Sequence, residues 1–245
     1  MKSIALFNVL DKVDSTNNYA MGKVHAGLAK SGMAWFATEQ TLGKGQRGKN
    51  WESKPGENIT MSVVFEPLRS FWPHPFLFNA LITNTCRAFL SKLIDAEIKI
   101  KWPNDLYIND RKAGGILIEN VYMGQSWNWA VVGVGINCNQ LDFSEDIKNP
   151  VSLTTITGKK YDVVALAKDL HFLLVNTFNT SPQSTNASIL SQYNEHLFRK
   201  NEKQRLRKEN AVFETTIQEV SEFGQLLTID SISRVFNFGE VDWVL

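Results

Sequence analysis

The chain has 245 residues, of which 43% are hydrophobic and 21% are charged, values that exclude a disordered or fibrous protein. A chain of this length can bury a sizeable core. Lys and Arg number 26 against 25 Asp and Glu, so the net charge of +1 excludes a broadly basic nucleic-acid-binding protein, though not a local cationic patch.

Neither a membrane span nor a secretion signal is predicted. The sequence has no apolar run of about 18 residues or more, and Asp11 and Lys12 interrupt the N-terminal region before a signal sequence could form. Cys86 and Cys138 match no zinc-binding spacing and no disulfide framework. We therefore predict two buried thiols in a protein of the reducing cytoplasm.

In chain order, the first 200 residues predict a mixture of helices and strands. A helix runs from Ser15 to about Ala26, with Asp14 or Ser15 as its N-cap and Gly27 at its end. Apolar residues at helical spacing predict three further helices, at residues 75–94, 163–178 and 186–199. Runs of β-branched and aromatic residues predict six strands, at residues 34–40, 59–66, 98–102, 106–109, 115–121 and 127–135.

The composition changes near residue 200. The charged segment 201–210 (NEKQRLRKEN) is either a linker or an exposed strand. Four short strand-like segments follow, at residues 212–220, 225–229, 234–238 and 241–245. This pattern predicts two domains, an α+β domain at residues 1–200 and a small β-barrel at residues 201–245.

A glycine-rich loop occupies residues 43–48 (GKGQRG) and matches the pattern G-x-G-x-x-G. A dinucleotide-binding fingerprint requires a helix directly after the loop, but a proline, a glycine and then a strand follow here. It is not a Walker A loop either, because no Gly-Lys-Ser/Thr ends it. The loop is therefore either a solvated surface segment or an anion-binding loop, in which Lys44, Arg47 and Lys49 supply the charge.

Two turns carry further chemistry. Pro103 predicts a tight turn that presents Asn104 and Asp105 at its tip, where a carboxylate beside an amide would suit Mg²⁺ or an attacking amine. Lys112 precedes two glycines and could approach a phosphate or a carboxylate closely. Two hairpin turns with ordinary turn residues would explain the same pattern.

Other residues have a structural and a functional interpretation. Gly133 and Gly135 alternate along a predicted strand end, which favours either a bulge or the close approach of a flat ligand. The hydroxyls of Ser15 and Thr16 could cap a helix, and they could also contact a polar ring. The four histidines lack metal-binding spacing, and no Ser-His-Asp or Cys-His pattern indicates a nucleophile.

Four segments, in this order, resemble the biotin–protein ligases. They are residues 14–20 (DSTNNYA), 37–51 (ATEQTLGKGQRGKNW), 101–119 (KWPNDLYINDRKAGGILIE) and 131–139 (VVGVGINCN). The resemblance covers roughly residues 10–200, and segment 101–119 is its most specific part. It implies a class II synthetase-like α+β fold with a central mixed or antiparallel sheet, and residues 201–245 look like the family's small C-terminal SH3-like domain.

The resemblance implies an enzyme that makes biotinyl-5′-AMP from biotin and ATP with Mg²⁺, and then passes biotin to a lysine of a biotin carboxyl carrier domain of a carboxylase. Ser15, Thr16 and Gln40 would contact the ureido ring of biotin. The other biotin-binding residues would be Gly43, Lys44, Gln46, Gly115, Leu117, Gly133 and Ile136. The nucleotide would contact Lys44, Gln46, Arg47, Trp51, Asn104, Lys112 and Asn137.

Three residues would be catalytic by the same resemblance. Lys112 would bind the biotin carboxylate and the α-phosphate, and Arg47 belongs to a loop that closes on the adenylate and excludes water. Because both reactants are anionic, such cations offset their repulsion. Asp105 would lie near Mg²⁺ and the incoming lysine, whose amine must lose a proton before it attacks.

Two features depart from the family pattern. Many members carry Arg at the position of Gln46, so we expect this loop to retain the adenylate less tightly. Some members have an N-terminal helix-turn-helix domain, but only 13 residues precede Asp14. We therefore expect a ligase without a DNA-binding role, either a monomer or a homodimer.

Two other functions compete with this interpretation. A lipoate or octanoate ligase or transferase has a related fold, but a fatty acyl chain would prefer an apolar pocket to Ser15, Thr16 and Gln40. A non-catalytic module would bind biotin or a nucleotide and transfer nothing. The presence of both Lys112 and Asp105 argues against such a module.

Overall fold

A seven-stranded mixed sheet forms the centre of the computed structural model, which describes residues 7–145 and 147–244. Its strands follow the order β1-β2-β3-β7-β6-β5-β4; β1 and β2 are parallel and the other pairs are antiparallel. The strands are β1 (Phe7–Val13), β2 (Ala34–Gln40), β3 (Asn58–Phe65), β4 (Ile98–Lys101), β5 (Asp105–Ile108), β6 (Arg111–Met123) and β7 (Ser126–Asn137). The predicted α+β class with a mixed central sheet is confirmed.

Helices cover both faces of this sheet. They are α1 (Thr16–His25), α2 (Pro75–Ser91), α3 (Leu153–Thr157), α4 (Val163–Thr180) and α5 (Asn186–Glu195). On one face, α1 packs Ala20 and Val24 against β2, β3 and β7. On the other face, α4 lies on β3 and packs beside α2. Because β3 is covered on both faces, all its residues are buried, including the polar Asn58, Thr60 and Ser62 that alternate with apolar residues in NITMSVVF.

The C-terminal strands form a second sheet with the order β11-β10-β9-β8-β12. They are β8 (Lys203–Lys208), β9 (Ala211–Val220), β10 (Leu226–Ile229), β11 (Ser233–Phe236) and β12 (Asp242–Trp243). Among the described residues β11 and β12 are the two edges and do not pair, so the predicted small β-barrel is present as an antiparallel sheet that is not closed. The outer strands have only four and two residues, which is too short to close the sheet.

Several boundaries differ from the predictions for physical reasons. The helix predicted over residues 186–199 ends at Glu195, because residues 196–198 leave it to pair with the edge strand β4 through Ile100. The sequence patterns missed β1, whose charged residues lie on an exposed edge, and α3, a single turn capped by Ser152. The charged segment 201–210 contains strand β8, and Leu245 of the last predicted strand lies outside the described residues.

The two sheets share one hydrophobic core. Leu206, Ile217 and Leu226 of the second sheet belong to the same buried cluster as the central strands. Cys86 and Cys138 are free and buried, as predicted. No helix in the described part of the chain is long and apolar enough to cross a membrane.

Candidate active site

A cavity of about 1150 Å³ lies between the two sheets. Its floor comes from β6 and β7, and its sides come from the glycine-rich loop, the turn at residues 102–105 and residues 238–244 of the second sheet. Thirteen predicted site residues line it: Ser15, Thr16, Gln40, Lys44, Gln46, Arg47, Trp51, Asn104, Asp105, Lys112, Gly115, Leu117 and Gly133. The cavity therefore brings together residues from all four segments that suggested the family.

The glycine-rich loop is held as a compact turn over the cavity. Trp51 N donates to Gly43 O over 2.8 Å, and Gly45 N donates to Lys49 O over 2.7 Å. A side chain at Gly43 would collide with the carbonyl of Trp51, so glycine is required for this close approach. Gly43 is buried and does not line the cavity, which makes its contribution structural. Residues 43–48 form a loop as predicted, and the basic side chains at 44, 47 and 49 line the cavity.

Glycines on β6 and β7 make room for neighbouring side chains. A methyl group on Gly135 would strike the ring of Trp51, and one on Gly133 would strike the amide of Asn17. The flat group that approaches this strand is therefore the indole of Trp51, from the same chain. A methyl group on Gly115 would come within 3.1 Å of Asp105 Oδ1.

The Lys112–Asp105 ion pair lies at the centre of the cavity. Lys112 Nζ is 2.7 Å from Asp105 Oδ1, and about a quarter of each side chain is exposed, 28% and 25%. The backbone of Lys112 is fixed from both sides, because its N–H donates to Asn149 O and its carbonyl accepts from Val151 N, each over 2.9 Å. The pair faces the cavity, so an incoming anion could take Lys112 from Asp105.

The turn before β5 differs from the prediction. The sequence predicted that Pro103 would present both Asn104 and Asp105 at the tip, but only 4% of Asn104 is exposed. Its side-chain amide donates to Ile116 O, and Ile116 N donates to Asn104 O over 3.0 Å. These bonds fix the turn to β6, which leaves Asp105 as the charged side chain that the turn presents to the cavity.

A polar cluster closes one end of the cavity. Gln40 Oε1 accepts from Thr16 N over 2.7 Å and from Thr16 Oγ1 over 3.1 Å. The buried Ser62 hydroxyl lies 2.8 Å from Thr16 Oγ1 and 2.5 Å from Asn17 Oδ1. Ser15 occupies the N-cap position of α1, but its side chain makes no capping bond and lines the cavity.

This cluster reaches the glycine-rich loop through a carboxylate. Asn17 Nδ2 donates to Glu119 Oε2 over 2.8 Å, and Glu119 Oε1 lies 3.4 Å from Lys44 Nζ. Sequence reasoning assigned no role to Asn17, Ser62 or Glu119. Two of them lie within motifs already recognised, DSTNNYA and GILIE, but no spacing rule singled them out.

Besides Gly43, two predicted residues lie away from the cavity. Ile136 is fully buried in the hydrophobic core. Asn137 is also buried, and its amide donates to Val151 O over 3.2 Å, which supports the segment behind Lys112. Neither side chain is among those that line the cavity. Both follow Gly135 at the end of β7, where the strand continues into the core.

The cavity also contains residues that the sequence analysis missed. Lys101, Lys148, Arg207, Asp242 and Trp243 all line it. Burial lowers the pKa of Lys101 to about 8, although the nearby Asp105 carboxylate acts in the opposite direction. The residues from the second sheet could not be placed by sequence patterns, because only the fold brings them to this wall.

The cavity is cationic. Of the residues that the structure describes, three acidic ones line it, Glu52, Asp105 and Asp242. Seven basic side chains line it, from Lys44, Arg47, Lys49, Lys101, Lys112, Lys148 and Arg207. No group of three metal-ligating side chains occurs among the described residues. The donor set therefore fits an anionic ligand, and a metal ion would need oxygen ligands from that anion in addition to Asp105.

Residues 9–137 match the protein-family model described as the Biotin/lipoate A/B protein ligase family, and the chain belongs to this family. Over 142 residues it is 35% identical to the bifunctional ligase/repressor BirA of Escherichia coli, covering 58% of this chain and 43% of that protein. Over 138 residues it is 36% identical to the biotin–[acetyl-CoA-carboxylase] ligase of Paracoccus denitrificans, covering 53% of each chain. The chain thus spans about half, or less, of the length of these curated relatives.

Solved structures share the fold. The biotin protein ligase from Aquifex aeolicus in complex with biotin and ATP superposes with a TM-score of 0.81 at 23% identity, over 98% of each chain. A biotin protein ligase from Leishmania major in complex with biotin gives a TM-score of 0.65 at 24% identity, over 94% of this chain and 98% of that one. Because the first likeness covers the second sheet as well, the arrangement of both sheets is a shared feature.

Proposed function

We propose that the protein is a biotin–protein ligase, which activates biotin with ATP to biotinyl-5′-AMP and transfers biotin to a lysine of a biotin carboxyl carrier domain. One observation carries the proposal: a polar pocket end, a central lysine–carboxylate pair and a cationic loop surround one cavity. Each part suits one portion of the reaction. The relative from Paracoccus denitrificans and the two solved structures named above are biotin ligases by name.

The polar cluster suits the ureido ring of biotin. That ring has N–H donors and a carbonyl acceptor, and the hydroxyls of Ser15 and Thr16 with the amide of Gln40 offer both kinds of partner. Leu117 and the strand with Gly133 would line the apolar remainder of the ligand. A binding site with partners for these polar groups discriminates strongly against a ligand that lacks them.

The central pair suits the activation step. The biotin carboxylate attacks the α-phosphorus while pyrophosphate leaves, so negative charge accumulates between two anions. Lys112 can leave Asp105 to bind the carboxylate and the α-phosphate, and Arg47 with Lys44 can neutralise charge from the loop side. The glycine-rich loop, together with Gln46, would then exclude water from the mixed anhydride.

Mg²⁺ fits this cavity as a partner of the nucleotide. It is commonly held by one or two carboxylates together with substrate phosphates, where it would neutralise phosphate charge. Asp105 is the carboxylate closest to Lys112 and is the residue we assign to this role. Released from Lys112 after activation, Asp105 could also orient or deprotonate the acceptor lysine.

The test is a mass measurement. Incubation of the protein with biotin, MgATP and a biotin carboxyl carrier domain should add one biotinyl group to a single lysine of the carrier. Parallel incubations with lipoate or octanoate, and with biotin but without ATP, should add nothing. A lipoyl or octanoyl adduct would favour the related acyltransferases, and biotin binding without any adduct would favour a non-catalytic module.

Further parts of the proposal concern the cellular setting. The acceptor would be the carrier domain of a biotin-dependent carboxylase. A cytoplasmic location and the lack of a DNA-binding role remain predictions, the first from two free cysteines and the second from a net charge of +1. The oligomeric state, monomer or homodimer, remains a prediction to be tested by light scattering.

A further inference from the structure

Lys101 is a mostly buried cation that the reaction steps above leave unused. It ends strand β4 and lies directly opposite Asp105 of β5 in the sheet. Its Nζ lies 5.2 Å from the ring centroid of Tyr107 and 5.7 Å from that of Trp243. Lys101 therefore occupies the wall where the central sheet meets the second sheet, and it lines the cavity there.

Hydrogen-bond donors outnumber acceptors at this wall. Among the described residues, Tyr107 Oη is the acceptor within hydrogen-bond distance of Lys101 Nζ, at 3.3 Å. The ammonium group has three N–H donors and can therefore bind further acceptors. The indole Nε1 of Trp243 is buried and has no partner in the described part of the chain. Buried donors without acceptors are unfavourable in a finished structure, so this wall is suited to a ligand with several acceptor oxygens.

The surrounding charges favour an anion as that ligand. The charged groups that act on Lys101 are Lys49 of the loop, Lys112 of β6, Lys148 of the segment after β7 and Asp105, while Tyr107 packs against it as a titratable group. The one carboxylate is already paired with Lys112. Burial and three neighbouring cations therefore act on an ammonium for which the described residues supply no ion-pair partner.

We propose that Lys101 and Trp243 form an anion subsite that binds the outer two phosphates of the nucleotide and the pyrophosphate released from it. This assignment rests on the proposed function, which places the carboxylate and the α-phosphate at Lys112. The outer phosphates then extend from Lys112 towards the second sheet, where Lys101 Nζ and Trp243 Nε1 donate to their oxygens. With a pKa of about 8, Lys101 is mostly protonated at pH 7, so it acts as a cation and not as a base for the acceptor amine.

Inorganic pyrophosphate is the probe, because its binding can be measured by calorimetry without biotin or turnover. In the full chain we expect Lys101→Met to weaken pyrophosphate binding at pH 7 at least tenfold and Trp243→Phe about threefold. Lys101→Arg should stay within about threefold of the wild type. The matched controls are Lys99→Met, on the same strand but paired with Glu97, and Trp72→Phe, away from the cavity; both should leave the affinity unchanged.

The salt dependence supplies a second readout. Wild-type affinity for pyrophosphate should fall as the salt concentration rises, and Lys101→Met should reduce that dependence while Lys101→Arg keeps it. Wild-type affinity for pyrophosphate in Lys101→Met would overturn the proposal. So would loss of transfer from preformed adenylate in Lys101→Met with unchanged pyrophosphate affinity, since that result would assign Lys101 to the amine. Failure of the wild type to biotinylate a carrier would instead contradict the proposed function, while pyrophosphate binding would still be measurable.

Discussion

At the scale of single residues, the chemistry of the cavity depends on pairs that a ligand can rearrange. Lys112 and Asp105 hold each other at 2.7 Å, and Lys44 and Glu119 form a looser contact at 3.4 Å. Such partly exposed pairs contribute little to stability, so a ligand can separate them at a small cost in free energy. Three predictions belong to this scale.

The first prediction concerns the transfer step. Asp105→Asn should slow biotin transfer from preformed biotinyl-5′-AMP at least a hundredfold, because an amide cannot accept a proton from the acceptor lysine. Single-turnover assays with purified adenylate isolate this step from activation. Glu52→Gln is the matched control, since it removes another cavity carboxylate and should leave the rate unchanged. A wild-type rate in Asp105→Asn would remove Asp105 from the mechanism.

The second prediction concerns the loop residue that departs from the family pattern. Gln46 lines the cavity without a charge, so Gln46→Arg should add a charge-assisted contact to the adenylate and slow its dissociation about fivefold. The measurement is adenylate release followed by filtration or fluorescence. Thr41→Arg, outside the cavity lining, controls for a general increase in positive charge. Equal off-rates in the wild type and Gln46→Arg would defeat the idea.

The third prediction follows from the lowered pKa of Lys101. Unfolding restores the ordinary pKa of about 10.5, so the unfolded state binds more protons than the folded state between about pH 8 and 10.5. Below this range Lys101 is charged in both states, and its burial destabilises the folded state by the full amount. Lys101→Met should therefore raise the free energy of unfolding at pH 7. We expect a gain of about 2 kcal/mol, because the loss of the cation–π attraction offsets part of the effect.

Urea denaturation at several pH values tests this effect. The advantage of Lys101→Met over the wild type should shrink as pH rises from 8 to 10.5. Comparison of the two proteins cancels the opposite effect of Cys86 and Cys138, whose burial raises their pKa values to about 12. Lys99→Met serves as the control. A difference that is independent of pH would contradict the assigned pKa.

At the scale of elements, the site is formed by close approaches that only glycine allows. β7 accepts the ring of Trp51 at Gly135 and the amide of Asn17 at Gly133, and both contacts position cavity walls that come from distant parts of the chain. The loop and the sheet therefore pack closely because Gly133 and Gly135 have no side chains. This arrangement explains why the alternating glycines carry information about the site.

A substitution at this contact provides the fourth prediction. Gly135→Ala should displace the Trp51 ring and the loop, lowering stability by about 1–3 kcal/mol and raising KM for ATP more than KM for biotin. Steady-state kinetics and urea denaturation measure the two effects. Gly22→Ala is the control, because nothing lies within 4 Å of its added methyl group and α1 should gain about 0.5–1 kcal/mol. Unchanged kinetics in Gly135→Ala would show that the contact does not position the loop.

The elements also show what the sequence could predict. Strand β2 matches its predicted bounds, and helix α4 extends its predicted span by two residues, because apolar periodicity and aromatic runs report local burial directly. The site motifs were recognisable because their glycines, lysines and turn residues are close in sequence. Asn104 was misplaced because a turn rule describes the backbone and not the acceptor that Ile116 offers. Lys101 and Trp243 could not be paired, since 142 positions separate them and only tertiary packing joins them.

At the scale of the whole molecule, the second sheet is part of the cavity and of the core. Asn194 of α5 makes two bonds to Val220, with its Nδ2 donating to Val220 O over 2.9 Å and its Oδ1 accepting from Val220 N over 2.7 Å. Trp102 Nε1 donates to Gly224 O over 2.9 Å. The domain boundary near residue 200 therefore remains a proposal about sequence organisation, while packing across it is continuous.

The fifth prediction tests that continuity. Asn194→Ala leaves two buried backbone groups of Val220 without partners, so it should lower the free energy of unfolding by about 2 kcal/mol. Fluorescence and circular dichroism should report one coincident transition in the wild type. Gln192→Ala, an exposed position on the same helix, should change stability by less than 0.5 kcal/mol. Two separate wild-type transitions would show that the sheets unfold independently.

The hydrogen bonds of Asn194 and Trp102 across the junction have a consequence for protein engineering. A chimera that replaces residues 201–245 with the corresponding segment of a relative would keep Trp102 and Asn194, but the backbone groups they bind would come from a segment adapted to the relative's side chains. Such grafts should succeed only when the donor and recipient match at positions 102 and 194, so compatibility can be checked from two residues before any hybrid gene is made.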